Sequence, residues 1–143
     1  MSTSILVANR TGARLFHRTG KNLRLLWSLE NPAGRLRDQD IEAGASKRTY
    51  DSHARGHDPA TSPHEQAAVT FAKELAEELR RERLRGGANR IVLVAEPHFL
   101  GLLRGELDVP TGARVIAMVT KDLEHAALDS VAEHVQHVPD LEL

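Results

Sequence analysis

Three short runs of continuous apolar residues constrain the fold of this 143-residue chain more than any other feature. They are Ile5–Ala8, Ile91–Val94 and Val115–Val119. A strand that is apolar at every position is typical of a sheet covered on both faces, whereas a half-exposed strand alternates apolar and polar residues. The runs therefore predict three buried central strands in a sheet with helices on its faces, which is an α/β layer architecture.

The segment after the first run predicts two further strands joined by tight turns. Residues 9–12 and 20–22 carry turn chemistry, and the stretch 13–19 between them is predicted as a strand. A third strand follows, in which apolar residues recur at every second position. These residues are predicted to share one face of the sheet: Leu23, Leu25, Trp27 and Leu29.

Capping residues and apolar spacing predict three helices. Ser62, Pro63 and Glu65 form a capping box with proline at the first helical position, and Gly86-Gly87 ends the helix. Shorter helices are predicted after Pro97 and over residues 128–137. The predicted order is β-β-β-α-β-α-β-α, a single mixed sheet in one α/β domain that spans residues 1–143.

Charge and composition narrow the class of protein. Lys+Arg 19 and Asp+Glu 20 give a formal net charge of -1, so overall charge does not attract the chain to nucleic acid or to a membrane. Cysteine is absent, which excludes disulfides and thiol catalysis. No apolar stretch is long enough to span a bilayer, and the first apolar run is too short for a signal peptide. We expect a cytoplasmic protein that does not enter the membrane.

The segment of about 31–61 lacks any period and is predicted to be a long loop, which compact domains seldom carry without a functional reason. It opens with Asn31, Pro32, Gly34, Arg35, Arg37 and Asp38. Proline fixes one dihedral, glycine permits a positive one, and Arg with Asp can brace a loop through paired hydrogen bonds. Two interpretations stand: a recognition loop, or a structural clasp that ties the loop to the sheet edge.

Other polar residues give candidate sites, each with an ordinary alternative. One candidate is a metal site, because imidazole and carboxylate groups bind zinc and similar metals. The alternative is a solvated polar loop. The residues concerned are His53, His57, His64, Asp51, Asp58 and Glu65. His98 follows a predicted parallel strand, where α/β folds place ligands, although a single histidine there is more often incidental. A basic run closes the long helix at residues 80, 81, 83 and 85. We interpret these arginines as stabilising the helix C-terminus and forming a Glu77–Arg81 pair, in preference to contacting RNA.

Several motifs, in order along the chain, resemble the bacterial family of host attachment proteins, which has been likened to the middle domain of eukaryotic and archaeal peptide release factors. The motifs are Asn31-Pro32 with Gly34-Arg35-Leu36-Arg37-Asp38, Thr61-Ser62-Pro63-His64-Glu65, Phe71-Ala72-x-Glu74-Leu75, Ala95-Glu96-Pro97-x-Phe99-Leu100-Gly101-Leu102-Leu103-Arg104 and Lys121-Asp122-Leu123. The resemblance covers essentially the whole chain and implies a ribonuclease-H-like, three-layer fold.

The resemblance also points to Gln66. In the release-factor domain a Gly-Gly-Gln tripeptide precedes a helix of small residues, and here His64 and Glu65 replace the two glycines. The resemblance makes Gln66 a candidate catalytic residue. Glycines allow a close backbone approach that the Cβ atoms of His64 and Glu65 would block, so an ordinary helix-surface glutamine is the favoured alternative. A nuclease is disfavoured because the apolar runs 5–8 and 91–94 carry no carboxylate.

These observations favour a binding protein without a cofactor over an enzyme. We expect it to bind RNA or the ribosome through Asn31, Arg35, Arg37, Asp38, His64, Glu65 and Gln66. Two alternatives stand beside this prediction: an accessory protein that supports bacterial attachment to host cells, and a degenerate peptidyl-tRNA hydrolase-like domain. Exposed hairpin edges would permit a homodimer.

Overall fold

A computed structural model describes residues 3–20, 22–35 and 62–135 of the chain. Its centre is one five-stranded sheet with the strand order β3-β2-β1-β4-β5. The strand β2 pairs antiparallel with both β1 and β3, whereas β1, β4 and β5 run parallel to one another. The strands are β1 (Thr3–Asn9), β2 (Gly12–Thr19), β3 (Asn22–Glu30), β4 (Arg90–Val94) and β5 (Val115–Val119).

Helices lie on both faces of the sheet, which gives the predicted three-layer α/β arrangement. Five helical segments occur in the described residues: α1 (Pro32–Arg35), α2 (Pro63–Leu84), α3 (Pro97–Glu106), α4 (Val109–Gly112) and α5 (Leu128–Val135). The helices α2 and α3 cover one face, and α5 covers the other. Parallel strands require crossover connections, and α2 and α3 supply these between β1, β4 and β5.

Two apolar clusters, one on each face of the sheet, form the core. The alternate residues of β1 divide between them: Leu6 and Ala8 pack under α2 and α3, while Ile5 and Val7 pack under α5. All seven residues of β1 are buried, as are the last four of β4. The two central strands predicted from continuous apolar runs are therefore confirmed, because each needs an apolar partner on both faces.

The third apolar run departs from the prediction of a buried central strand. Every residue of β5 is partly or well exposed, and Met118 is 40% exposed. The reason is position, because β5 is the last strand of the sheet and has a described neighbour only on the β4 side. An apolar run indicates a strand, but it does not distinguish a central strand from an edge strand.

The strand β3 also departs from prediction, because a β-bulge interrupts its alternation. Leu15 pairs with Trp27 but Phe16 pairs with Leu25, so Leu26 is an extra residue. Beyond the bulge Trp27 and Leu29 pack on the α2 side, whereas Leu25 faces the other side and is 47% exposed. The prediction that Leu23, Leu25, Trp27 and Leu29 share one face was wrong, because one extra residue reverses the faces.

The helix boundaries follow the predicted capping signals. The Ser62 hydroxyl caps α2, and the chain leaves the helix through Gly86 at a φ of 89°, a left-handed conformation that favours glycine. The segment predicted to be loop from residue 31 begins instead with the single helical turn α1, and residues 36–61 lie outside the described part. The other new element is α4, a turn capped by Asp108.

Candidate functional site

The carboxyl ends of β1, β4 and β5 lie at one edge of the sheet, together with the turn between β1 and β2 and the end of β3. We call this region the carboxyl edge. Open α/β sheets bind ligands there, because the loops that leave the parallel strands converge. It is also where α1 and the first turns of α2 and α3 begin.

Asn9 organises the turn between β1 and β2. Its Oδ1 accepts hydrogen bonds from the Thr11 N–H at 2.8 Å, the Thr11 hydroxyl at 2.7 Å and the Gly12 N–H at 3.1 Å. Its Nδ2 donates to Asp122 Oδ1 at 3.0 Å, in the segment after β5. Asn9 is 7% exposed, so these bonds satisfy an amide that has lost most of its water.

A second contact holds the segment after β5 against the same turn region. Arg14 Nη2 on β2 donates to the Leu123 carbonyl at 2.7 Å, and the Leu123 side chain is buried among the residues under α5. The segment after β5 is therefore held by the Asn9 amide and the Arg14 guanidinium. Both residues lie about a hundred positions earlier in the sequence.

The helical turn α1 rests directly on the β1–β2 turn. The Asn31 N–H donates to the Thr11 carbonyl at 2.9 Å, and Asn31 Nδ2 donates to the Arg10 carbonyl at 2.8 Å. Gly34 lies so close that a Cβ built on it would stand 1.8 Å from the Arg10 carbonyl oxygen. Its φ is not positive, so glycine serves close backbone approach here and not the left-handed conformation that the sequence suggested.

The first turn of α2 continues this chain of contacts. His64 Nε2 lies 2.9 Å from the Gly34 carbonyl oxygen, and the Ser62 hydroxyl accepts from the Glu65 N–H at 3.0 Å. The Glu65 carboxylate reaches His98 Nε2 on α3 at 2.8 Å. His64 and Glu65 thus join α1 to α2 and α2 to α3, which is consistent with a clasp.

Gln66 sits on the surface of this same helical turn. Its N–H donates to the Ser62 carbonyl at 2.9 Å, an ordinary first-turn helical bond, and the residue is exposed. A backbone held in this way cannot adopt the conformations that two glycines would allow. The arrangement presents an amide to solvent on a rigid helix start.

The carboxylate of Glu96 fixes the start of α3 beside this turn. It accepts from the Phe99 N–H at 2.6 Å and from the His98 N–H at 2.9 Å, as helix-capping carboxylates do. His98 remains 63% exposed while its ring meets Glu65. The exposed polar groups of this surface are therefore donors and acceptors suited to hydrogen-bonded recognition.

The structure brings together four of the seven predicted binding residues: Asn31, His64, Glu65 and Gln66. Arg35 ends α1, while Arg37 and Asp38 lie outside the described residues, as do His53, His57, Asp51 and Asp58. Within the described part of the chain, no three His, Asp or Glu side chains are arranged to hold a metal ion.

Sequence reasoning missed Asn9 and Asp122 and treated His98 as incidental. The signal for Asn9 was present, because asparagine followed by Thr-Gly at the end of a strand is typical of an Asx turn. No sequence signal pairs Asn9 with Asp122 or Glu65 with His98, since these contacts join residues 113 and 33 positions apart.

At the far end of α2 the arginines pair with nearby acids. Arg81 lies 3.6 Å from Glu77, which confirms the predicted pair, and Arg83 reaches Asp108 at 3.3 Å. Hydrogen bonding from Thr111 lowers the pKa of the Asp108 carboxyl below its ordinary value, and the charges of Arg83 and Arg80 act in the same direction against partial desolvation. The arginines at the end of α2 therefore pair with acidic residues of the same protein, among them Asp108, which caps α4.

In the described residues, no helix combines the length and the apolar character that crossing a bilayer requires.

Comparison with solved structures shows which fold this is. One match, described as an archaeal protein, has a TM-score of 0.54 and 14% identity, and covers 97% of this chain and 34% of the other. A crystal structure of archaeal translation termination factor aRF1 matches with a TM-score of 0.52 and 14% identity, covering 93% of this chain and 37% of that protein. The chain thus spans about a third of their length. These matches confirm the predicted release-factor-like fold.

Comparison by sequence identifies the family. No curated protein matches the chain. A family model described as "Protein required for attachment to host cells" matches residues 4–135, which includes every strand and helix described above except the first residue of β1. The chain belongs to this family of proteins required for attachment to host cells.

Proposed function

We propose that this protein is a non-catalytic, cytoplasmic RNA- or ribosome-binding protein, and that it binds through the surface formed by α1 and the first turn of α2. The observation that carries the proposal is the fold match to an archaeal translation termination factor over 93% of the chain. The polar groups of Asn31, His64, Glu65 and Gln66 lie at the carboxyl edge, where such folds present ligand-binding residues.

Rigidity of the helix start favours binding over hydrolysis. The Ser62 cap holds the Glu65 N–H, and the Ser62 carbonyl holds the Gln66 N–H. His64 is engaged with Gly34, and Glu65 with His98. A segment held by these bonds offers a preorganised binding surface. Hydrolysis of a peptidyl-tRNA ester would instead require a mobile backbone at this position.

Arginines at the start of the long segment are proposed to contribute phosphate contacts. Arg35 ends α1, two residues before Arg37. Contacts to phosphate would position RNA without reading its sequence, and binding would weaken as salt rises because counterions are released.

Sedimentation with ribosomes tests the proposal. Purified ribosomes are mixed with wild type, with the double variant Arg35→Ala/Arg37→Ala, and with Arg104→Ala, an exposed arginine on α3 that serves as the matched control. Wild type and Arg104→Ala are expected to enter the ribosomal fractions at low salt, and the double variant to remain at the top of the gradient. A wild type that never sediments with ribosomes and binds no RNA in a filter assay would overturn the proposal.

A second function is favoured by the family description, which is attachment to host cells. In that case the protein supports attachment as an accessory factor. Immunodetection on intact cells, compared with permeabilised cells, distinguishes the two functions. Surface signal on intact cells supports the attachment function, whereas signal only after permeabilisation supports the translation-associated role.

Hydrolysis through Gln66 is tested in the same preparation. If the domain were a degenerate peptidyl-tRNA hydrolase, wild type would release the peptide and Gln66→Ala would not. We expect no release above background from either protein.

A further inference from the structure

The contact between His98 and Glu65 fixes the hydrogen-bonding character of an exposed imidazole. His98 Nε2 lies 2.8 Å from Glu65 Oε1 and 3.0 Å from Glu65 Oε2. A carboxylate only accepts hydrogen bonds, so Nε2 carries the hydrogen and donates it to the two oxygens. In a neutral imidazole the other ring nitrogen, Nδ1, is then an acceptor. The contact therefore sets which nitrogen of His98 can accept a hydrogen bond.

The accepting nitrogen of His98 is open to solvent. The side chain is 63% exposed although its Nε2 is bonded, and no group in the described part of the chain donates to Nδ1. The backbone beneath the ring is also held, because the His98 N–H donates to the Glu96 carboxylate at 2.9 Å in the first turn of α3. His98 thus presents a preoriented acceptor, which lowers the entropy cost of binding a ligand.

The charges around His98 disfavour phosphate as the ligand of this nitrogen. Glu65 contacts the ring, and Glu96 contacts the backbone N–H of the same residue. A phosphate oxygen ordinarily accepts hydrogen bonds, as the neutral Nδ1 does, and two carboxylates close by repel its negative charge. The ligand group at His98 must therefore donate a hydrogen and carry no negative charge.

His98 adjoins the surface that is proposed to hold RNA. Within the first turn of α2, His64 contacts the Gly34 carbonyl of α1, and Glu65 contacts His98 of α3. The helical turn α1, which ends at Arg35, and His98 therefore flank the same part of α2. A helix is about 10 to 12 Å across, a width that a few nucleotides span. A strand whose phosphates are held at α1 can thus reach His98 with its sugars.

RNA carries two kinds of hydrogen donor, the N–H groups of its bases and the ribose 2′-hydroxyl. The hydroxyl is present on every nucleotide, and it is the group that distinguishes RNA from DNA. We propose that His98 Nδ1 accepts a hydrogen bond from a ribose 2′-hydroxyl, and that Glu65 is the positioning residue that orients the ring. This inference rests on the proposed function, and it adds a preference for RNA over DNA that phosphate contacts do not supply.

Filter binding with three matched single strands tests the preference. The strands are oligouridine, oligodeoxyuridine and 2′-O-methyl oligouridine of one length, compared at one salt concentration and about pH 8, where imidazole is ordinarily neutral. The methylated strand keeps the 2′-oxygen but has no hydrogen to donate, and uracil has no exocyclic amino group. Wild type is expected to bind oligouridine about threefold to tenfold more tightly than either other strand, as one hydrogen bond would give.

Two substitutions separate recognition from a structural role. His98→Gln places an amide N–H where Nε2 stands, so it retains a bond to Glu65 but has no acceptor at the position of Nδ1. His98→Asn places an oxygen near the position of Nδ1, but its side chain is too short to reach Glu65. We expect His98→Gln to lose the preference for oligouridine and His98→Asn to retain part of it. A purely structural role would give the opposite order.

His125→Gln is the matched control. His125 is 68% exposed and also pairs with a glutamate, since its Nδ1 lies 2.9 Å from Glu124 Oε2. It lies in the segment after β5, where Leu123 and Ala126 pack on the α5 side of the sheet. The control is expected to keep the full preference for oligouridine, and circular dichroism checks that all three variants are folded.

The outcomes distinguish this inference from the function on which it rests. Equal binding of the three strands by wild type, or an unchanged preference in His98→Gln, overturns the role of His98 and leaves RNA binding in place. A wild type that binds neither ribosomes nor RNA overturns the proposed function and this inference with it. If wild type binds ribosomes without any preference among the strands, and His98→Gln weakens that binding, the donor belongs to a ribosomal protein and the assignment to ribose is wrong.

Discussion

At Gly34 the backbone of α1 approaches the β1–β2 turn more closely than any residue with a side chain permits. A Cβ there would lie 1.8 Å from the Arg10 carbonyl oxygen, which is backbone and cannot rotate away. Gly34→Ala is expected to lower the free energy of unfolding by about 2 kcal/mol or more. Urea denaturation measures the loss.

The matched control for this substitution is Gly101→Ala on α3. Nothing lies within 4 Å of a Cβ at that position, and alanine is the better helix former. A gain of about 0.5 to 1 kcal/mol is therefore expected. Equal effects at the two glycines would contradict the close approach of α1 to the turn.

Asp108 gives a prediction for the dependence of stability on pH. Thr111 and the nearby arginines lower the pKa of this carboxyl in the folded protein, so the folded state holds the ionised form more favourably than the unfolded chain does. The contribution is fully present above the unfolded pKa of about 3.9 and is lost as pH falls through the lower folded value.

Asp108→Asn isolates that charge, because asparagine also caps helices well. The melting temperature of wild type is expected to exceed that of the variant at pH 7, and the difference to shrink below about pH 4. Thermal unfolding monitored by circular dichroism at several pH values measures it. A difference that stays constant from pH 7 to pH 3 would contradict the assigned cause.

At the scale of elements, the helix α2 depends on its cap. The Ser62 hydroxyl accepts the Glu65 N–H at 3.0 Å, and the same turn carries His64 and Gln66. Ser62→Ala is expected to cost about 1 kcal/mol in chemical denaturation, whereas Ser62→Asp, which retains an acceptor, should cost much less. A similar cost for both variants would mean that the hydroxyl does not cap the helix.

The helices and strands differ in how well the sequence predicts them. The helix α2 could be predicted because its signals are local: a cap, a first-turn proline, an apolar stripe and a terminal glycine pair. The faces of β3 could not, because the bulge at Leu26 depends on how β2 pairs with it. The helix α1 could not be predicted either, because it is a single four-residue turn. It is stabilised by the hydrogen bonds of Asn31 to the carbonyls of Arg10 and Thr11.

For the whole molecule, Asn9 joins segments that are far apart in sequence. It bonds the β1–β2 turn with one amide atom and Asp122 with the other. Asn9→Ala leaves buried polar groups without partners, and we expect a loss of about 1 to 3 kcal/mol. Hydrogen exchange should also quicken at the amides of Thr11, Gly12 and Asn31, because all three donate to this turn.

Asn22→Ala serves as the control, since Asn22 is exposed at the start of β3. Its effect on stability should lie within about 0.5 kcal/mol, and exchange at the carboxyl edge should not change. If Asn9→Ala quickens exchange uniformly across the chain and not first at that turn, Asn9 stabilises the protein without organising the site.

The sequence by itself determined the layers of this protein. Continuous apolar runs require a sheet covered on both faces, and capped amphipathic helices supply the cover; both are local patterns that burial imposes on neighbouring residues. Tertiary structure alone decided which apolar run forms an edge strand. It also decided that position 34 must be glycine and that Glu65 contacts His98, 33 positions away in sequence. These properties depend on the distance between segments after packing, and no local pattern of residues encodes that distance.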